Sequence, residues 1–244
     1  MSLFSFVIGK MHGMKNKVEN HLMDMLRQGL QQLGEDPDAH PCSDYLAFID
    51  LLFEWNRAYN LTGLRTREQM LPRHILDSLA VLPLIQGHAC LDVGTGAGLP
   101  GLPLALARPA QHWTLLDSNS KKIRFLNQVV LQLHPGNVEL VHSRMQEYRP
   151  PRRFDTIIAR AYTSLKELHE RAAGWLQDNG RLIAMKGRKP VRELAQLAEY
   201  RIGFEVVEIH VPVLDVTRHI IIMRAGKQSS GRLLKKHDPP PGSL

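Results

Sequence analysis

Three glycines at alternate positions, Gly94, Gly96 and Gly98, directly follow the apolar run Ala89-Cys90-Leu91-Asp92-Val93, and a second apolar stretch from Leu102 to Ala107 follows them. The run reads as a buried strand, the glycines as a turn that lets a ligand touch bare backbone, and the second stretch as a helix. Such a junction confines the chain to α/β architectures with a nucleotide-like ligand at the turn. The pattern beyond it agrees. Short apolar runs near 89–93, 112–117, 138–142, 154–159 and 181–186 alternate with helical stretches near 101–108, 119–133, 164–177 and 190–201, which predicts a parallel sheet covered on both faces. The last two runs, Phe204 to Val211 and Arg218 to Met223, are joined too closely for a crossover helix and should pair antiparallel.

Ahead of this region the periodicity is helical. Val18, Leu22, Met25, Leu26, Leu30 and Leu33 fall on one face over residues 16–33, and a second apolar helix spans 44–59. A third opens at Thr66, with Gln69 in capping-box spacing, and runs past Pro72 and His74 to Leu82. The chain therefore divides into a leader or expression-derived segment at 1–15, an N-terminal helical cap at 16–86, an α/β domain at 87–225, and a basic tail at 226–244. The tail carries Lys235, Lys236 and a proline run at 239–241, and no fixed structure is expected there.

The ligand class follows from what surrounds the glycines. Gly-x-Gly-x-Gly preceded by Asp92 differs from the Gly-x-Gly-x-x-Gly of dinucleotide folds, and no Gly-Lys-Ser/Thr is present to grip a triphosphate. The run from His112 ends in Asp117, about 20 residues after the glycines, where a carboxylate can accept from ribose hydroxyls. That carboxylate suits NAD as well. The three-glycine spacing together with Asp92 resembles the first motif of class I methyltransferases, which implies S-adenosylmethionine; an NAD-dependent oxidoreductase is the second reading.

The net charge of +7, from 31 Lys+Arg against 24 Asp+Glu, fits a polyanionic partner such as nucleic acid, because each neutralised phosphate releases counterions. A merely solvated basic surface would also account for it. Two cysteines, Cys42 and Cys90, suit a reducing cytoplasm rather than a disulfide scaffold. The apolar start Leu3 to Ile8 has no basic segment before it, so a signal peptide is not expected. No stretch approaches the ~20 apolar residues needed to cross a bilayer. The 12 histidines show no ligand spacing, so no metal site is expected. A monomer is the default.

In a doubly wound sheet, ligands bind beyond the carboxyl ends of the strands. The third strand leaves through Ser143, Arg144, Met145 and Gln146; an adenine can lie against Met145 while Gln146 accepts from its amino group. A gap-filling methionine and a surface glutamine would give the same sequence. The fourth strand leaves through Arg160, Ala161 and Tyr162, where a cation needs an anionic partner such as a cofactor carboxylate or a phosphate. No Asp/Asn-Pro-Pro-aromatic cluster for exocyclic base amines leaves this strand, and neither cysteine is placed as a nucleophile. A nucleophile with a lone pair and no proton, such as guanine N7, needs only positioning.

Two motifs lie upstream. Trp55 to Thr62 reads as a helix end capped by Asn60 with a core tryptophan, and Arg73 with Asp77 reads as a solvated i,i+4 ion pair. Taken together, however, Trp-Asn-x-x-x-Asn-Leu-Thr at 55–62, Arg-His-Ile-x-Asp-Ser at 73–78, Asp-x-Gly-Thr-Gly-x-Gly-Leu-Pro-Gly at 92–101, Leu-Leu-Asp-Ser at 115–118 and Ala-Arg-Ala at 159–161 resemble the bacterial ribosomal RNA small subunit methyltransferase G family, also called glucose-inhibited division protein B. The resemblance runs from about residue 22 to residue 225. It implies a class I S-adenosylmethionine-dependent methyltransferase: a Rossmann-like α/β fold with a seven-stranded, mostly parallel sheet, a terminal antiparallel hairpin and an N-terminal helical extension. It also implies methyl transfer to guanine N7 in the decoding-region loop of 16S ribosomal RNA, free or in the small subunit.

Carried over by motif, Gly94, Leu99, Met145, Gln146 and Arg160 would hold the cofactor, with Gly96, Gly98 and Asp117 added from the class I pattern. Gln146 stands where members of the family often have an acidic residue, and an amide oxygen accepts from adenine too. Asn60, His74, Asp77, Lys186 and Arg218 match family positions and would lie around the guanine or the RNA backbone. The same fold could also serve a non-catalytic RNA-binding protein or the methylation of a small molecule; the intact glycines with Asp117 weigh against the first, the basic balance against the second.

Overall fold

A computed structural model describes residues 3–161, 164–224 and 232–234, with side chains described over 17–161 and 164–224. The helical part comprises α1 (Leu3–Leu33), α2 (Cys42–Tyr59), α3 (Arg67–Met70), a π-helical turn Leu71–Leu76 and α4 (Asp77–Leu79). No element boundary falls at residue 15, because α1 runs through it. Asn60 ends α2 in the left-handed region, φ 50°, with its N–H on the Asn56 carbonyl at 3.1 Å, as a cap residue tolerant of positive φ should. Thr66 Oγ1 accepts from the Gln69 N–H at 3.3 Å, and Gln69 Oε1 accepts from the N–H of Arg65 at 3.3 Å, a capping box displaced by one residue at its return bond. Pro72 has no N–H to continue the ladder, and the helix widens there into the π turn instead of stopping.

The sheet holds β1 (Ala89–Val93), β2 (His112–Asp117), β3 (Val138–His142), β4 (Phe154–Arg160), β5 (Leu176–Lys186), β6 (Phe204–Val211), β7 (Val216–Met223) and a short β8 (Arg232–Leu234). Their order is β3-β2-β1-β4-β5-β7-β6-β8. The first five pair parallel, β7 pairs antiparallel with both β5 and β6, and β8 adds parallel to β6. The seven expected strands and the terminal hairpin are therefore present. Of the tail expected to lack structure, only 232–234 lie within the described residues.

Side chains alternate across the sheet as period two requires. Cys90, Trp113, Leu115, Ile158 and Ile183 join α1, α2, the π turn, α5 (Gly101–Ala107) and α6 (Ser120–Leu133) in one apolar cluster. Leu91, Val93, Leu116, Ile157 and Leu182 pack on the opposite face with α7 (Leu165–Ala172) and α8 (Val191–Glu199). The helix expected over 164–177 ends at Ala172. Gly174 lies in the short 3-10 turn that follows, and Leu176 already pairs with Phe154, so the strand begins earlier than the apolar pattern indicated. No helix links β3 to β4; the segment crosses the second face with Tyr148 edge-on to Trp175 at 5.5 Å.

Candidate functional site

Strand order reverses between β1 and β4, which opens a crevice beyond the carboxyl ends of the strands. One cleft of about 470 Å³ lies past β1 and β2. A second, of about 490 Å³, lies past β4, β5 and β7, with residues of the π turn and α4 on its wall. A hollow of about 170 Å³ joins them, sharing Gly94 and Lys122 with the first and Thr62, His74, Arg160 and Ala161 with the second.

The first cleft is built by the glycine turn. Gly94 and Gly96 have φ of +68° and +64°, and a Cβ on Gly94 would meet nothing within 4 Å, so a side chain there would project into the space a ligand uses. The Gly96 N–H donates to Asp117 Oδ2 at 2.8 Å and the Asn119 N–H to Oδ1 at 2.8 Å. Each carboxylate oxygen keeps a further lone pair for a ribose hydroxyl. Met145, buried, and Gln146, exposed, form the far wall, and Leu99 lines the joining hollow. A diol acceptor, an apolar wall and a bare-backbone turn fit S-adenosylmethionine. Gly98 shares the left-handed backbone, φ +87°, and serves packing as well. A Cβ there would stand 2.8 Å from Leu126 Cδ2 and 3.2 Å from Leu102 Cβ, so its bareness lets α5 and α6 close against the turn.

Asp92 fixes the turn from beneath. Its Oδ2 accepts from Thr95 Oγ1 at 2.6 Å and from the Gly101 N–H at 2.8 Å, while Oδ1 is buried with no partner. Burial pushes its carboxyl up to about 6, moderated by those two hydrogen bonds and by Arg160.

In the second cleft the expected Arg73–Asp77 pair does not form. Arg73 is exposed, and Asp77 turns inward, where Oδ1 accepts from Arg218 Nε at 2.6 Å and Oδ2 lies 3.5 Å from Arg160 Nη1. Asp77 is 5% exposed and each arginine 24%. Arg160 thus has an anionic partner inside the chain. Burial, reinforced by Arg160, pushes the His74 ring down to about 4, so it is neutral near pH 7. Nδ1 lies 3.1 Å from the Arg73 carbonyl, which can only accept, so Nδ1 carries the proton. Nε2 then accepts from the Thr62 hydroxyl at 3.0 Å. Asn56, buried, clamps the Thr62 loop: its Oδ1 accepts from the Thr62 N–H and its Nδ2 donates to the Leu64 carbonyl, both at 2.8 Å.

Lys186 lines this cleft and donates to both oxygens of Glu193, at 3.0 and 2.9 Å. Asn60 lies outside the three cavities' linings; its Oδ1 accepts from Arg65 Nη1 at 3.3 Å. The residues missed by sequence reasoning are Asn56, Thr62 and Ala161; Lys122, which the sequence offers only as one of many basic residues near the strand exits, faces the joining hollow. The first two sit inside a motif the sequence marks, but a clamp that acts across a loop leaves no periodic signal. Ala161, exposed at the β4 exit, has φ 60°, a conformation costly for a residue with a Cβ and met at ligand sites. Among the described residues no cluster of His, Cys, Asp or Glu could hold a metal ion.

A family model described as rRNA small subunit methyltransferase G matches residues 42–221. A ribosomal RNA small subunit methyltransferase G of Escherichia coli (strain SMS-3-5 / SECEC) is 42% identical over 206 residues, covering 84% of this chain and 100% of that one. Its counterpart from Shigella boydii serotype 18 is 41% identical with the same coverage. Among solved structures, magnesium protoporphyrin IX methyltransferase from Synechocystis PCC 6803 with bound SAM aligns at a TM-score of 0.52 and 15% identity, over 74% of this chain and 97% of that one; this likeness bears on the fold alone.

Proposed function

Because this chain belongs to the rRNA small subunit methyltransferase G family, and is therefore an S-adenosylmethionine-dependent rRNA methyltransferase, we propose that it methylates guanine N7 in the decoding-region loop of 16S ribosomal RNA. The observation that carries this reading is the pair of clefts joined at Arg160, Lys122 and the Thr62 loop. The first cleft takes the cofactor on Gly94, Gly96, Asp117, Met145 and Gln146, and the second takes the guanine. When bound, S-adenosylmethionine supplies an electrophilic methyl on a sulfonium.

N7 of guanine owns a lone pair and carries no proton, so the protein has to orient it rather than deprotonate it. The second cleft matches that need. His74 is neutral with both ring nitrogens engaged, and Asp77 is engaged by two arginines, so neither is free to act as a base. Methylation leaves a positive charge on the purine, and Asp77 offsets the two guanidinium charges that face it. The RNA partner is 16S ribosomal RNA, free or within the small subunit. The protein acts as a monomer, consistent with exposed large apolar residues that, among the described residues, lie on different elements: Tyr59, Leu131, Val191, Tyr200 and Val213. Among the described residues no helix is long and apolar enough to cross a membrane.

The test is transfer of label from radioactive S-adenosylmethionine to 16S RNA and to small subunits from cells lacking the gene, followed by nucleoside analysis. Label recovered as 7-methylguanosine is expected. Cofactor binding without transfer to either substrate would overturn the assignment.

A further inference from the structure

α2 ends at the rim of the hollow between the clefts: Tyr59 is its last residue, Asn60 caps it, and Leu61 and Thr62 line the hollow. At that rim stands an aromatic pair that neither cleft uses. Trp55 and Tyr59, one turn apart, have ring centroids 5.2 Å apart at 28°. Trp55 is half-buried and packs against Phe125 of α6 at 5.8 Å, so the inner ring is anchored in the core. The outer ring is partly open to solvent: Tyr59 is 39% exposed.

The surroundings of that ring are cationic. The exposed Arg124 guanidinium lies 5.8 Å from the Tyr59 centroid. The same helix carries exposed Lys121 and, facing the hollow, Lys122. Exposed Arg65 reaches Asn60 Oδ1 at 3.3 Å, and the one nearby acid on α2, Glu54, is held by Arg57 at 3.7 Å. A rigidly backed aromatic face set among cations attracts a polyanion that carries flat rings, whereas a protein partner would favour an apolar surround.

The geometry points to this rim as a stacking site for an unpaired nucleobase of the substrate RNA, one that flanks the guanine entering the groove, with its phosphates on Lys121, Arg124 and Arg65. This rests on the rRNA methyltransferase reading and adds how the strand outside the groove is held. A base stacks beside Tyr59 with the Arg124 guanidinium alongside, and the Trp55 ring keeps Tyr59 from folding away.

The experiment is steady-state methyl transfer to unmethylated small ribosomal subunits, varying subunit and S-adenosylmethionine separately, for the wild type, Tyr59→Ala, Tyr59→Phe and Arg124→Glu. Tyr59→Ala should raise the KM for the subunit about tenfold, the loss expected for one stacked base, and leave the KM for S-adenosylmethionine within about twofold. Tyr59→Phe should behave as wild type, since stacking needs the ring and not the hydroxyl. Arg124→Glu, an exposed change that the fold tolerates, should raise the subunit KM at least as much and flatten its salt dependence; it decides alone if Tyr59→Ala does not fold. A subunit KM unmoved in both Tyr59→Ala and Arg124→Glu overturns the proposal, and so does an equal rise in both KM values, which would make Tyr59 a support of the hollow. Wild-type protein that transfers nothing to the subunit removes the underlying reading first, and this one with it.

Discussion

His74 and Asp92 are both buried, both feel the charge of Arg160, and titrate in opposite senses. The Asp92 carboxyl, up at about 6, takes its proton in the folded state before the unfolded chain does. Its contribution to stability therefore grows as pH falls through 6 and is lost as pH rises. The His74 ring, down at about 4, refuses a proton that the unfolded chain accepts near 6.5, so its contribution is lost as pH falls from about 6.5 to 4. In the wild type the two offset each other over the same window. Asp92→Asn leaves the histidine unopposed, and its stability should fall more steeply than wild type below pH 6.5. His74→Gln should do the reverse, each by roughly 3 kcal/mol across the window. Urea unfolding at stepped pH reads the slopes; parallel curves for all three proteins would contradict the assignment of either group.

The turn between β1 and α5 separates two uses of glycine that a motif treats alike. Gly96 is at φ +64° with its N–H on Asp117, and the nearest atom to its missing Cβ is Lys122 Nζ at 3.6 Å. A bulky residue such as leucine would fill the hollow and strain the turn, so Gly96→Leu should weaken S-adenosylmethionine binding at least a hundredfold. Gly98→Ala instead pushes on Leu126 and should cost about 1–2 kcal/mol of stability while cofactor affinity changes little. Calorimetric titration and thermal melts separate the two; equal loss of affinity would erase the distinction. That the turn exists at all is legible in the sequence, because period-two apolar runs and glycine spacing are local signals, and the strands from β1 to β4 begin and end close to where those signals lie. Where a boundary depends on a distant partner, the local pattern misleads. Leu176 belongs to β5 because Phe154 pairs with it, and nothing between 164 and 177 announces that. Asp77 is the same failure within the site: its spacing from Arg73 gives its place on the helix, while the arginines that claim it come from β4 and β7.

Across the whole molecule Asp77 is one of the points at which the helical cap is tied to the sheet, beside the Gln86–Thr156 and Arg181–Leu84 bonds. Its partner Arg218 lies 141 residues away in sequence, and the helices of the cap share one apolar cluster with α5, α6 and a face of the sheet. The cap thus closes the second cleft as part of the fold and not as a lid upon it. Asp77→Asn keeps the size of the side chain but removes the charge between two guanidinium groups, each 24% exposed. Partial burial limits the penalty to about 2–3 kcal/mol, below that of a fully buried broken pair. Because cap and sheet share their core, the variant should still unfold in one calorimetric transition at a lower temperature. The charge change acts on the ligand in the other direction. A basic protein of net charge +7 gains one more positive charge, so nonspecific affinity for RNA should hold or rise. Turnover should nevertheless fall at least tenfold if the second cleft positions the guanine as proposed, since the freed arginines would no longer keep its shape. Retained RNA binding with lost turnover and a single shifted melt is the expected combination; two separate melting transitions would show instead that the cap folds independently, and normal turnover would show that Asp77 does not set the cleft.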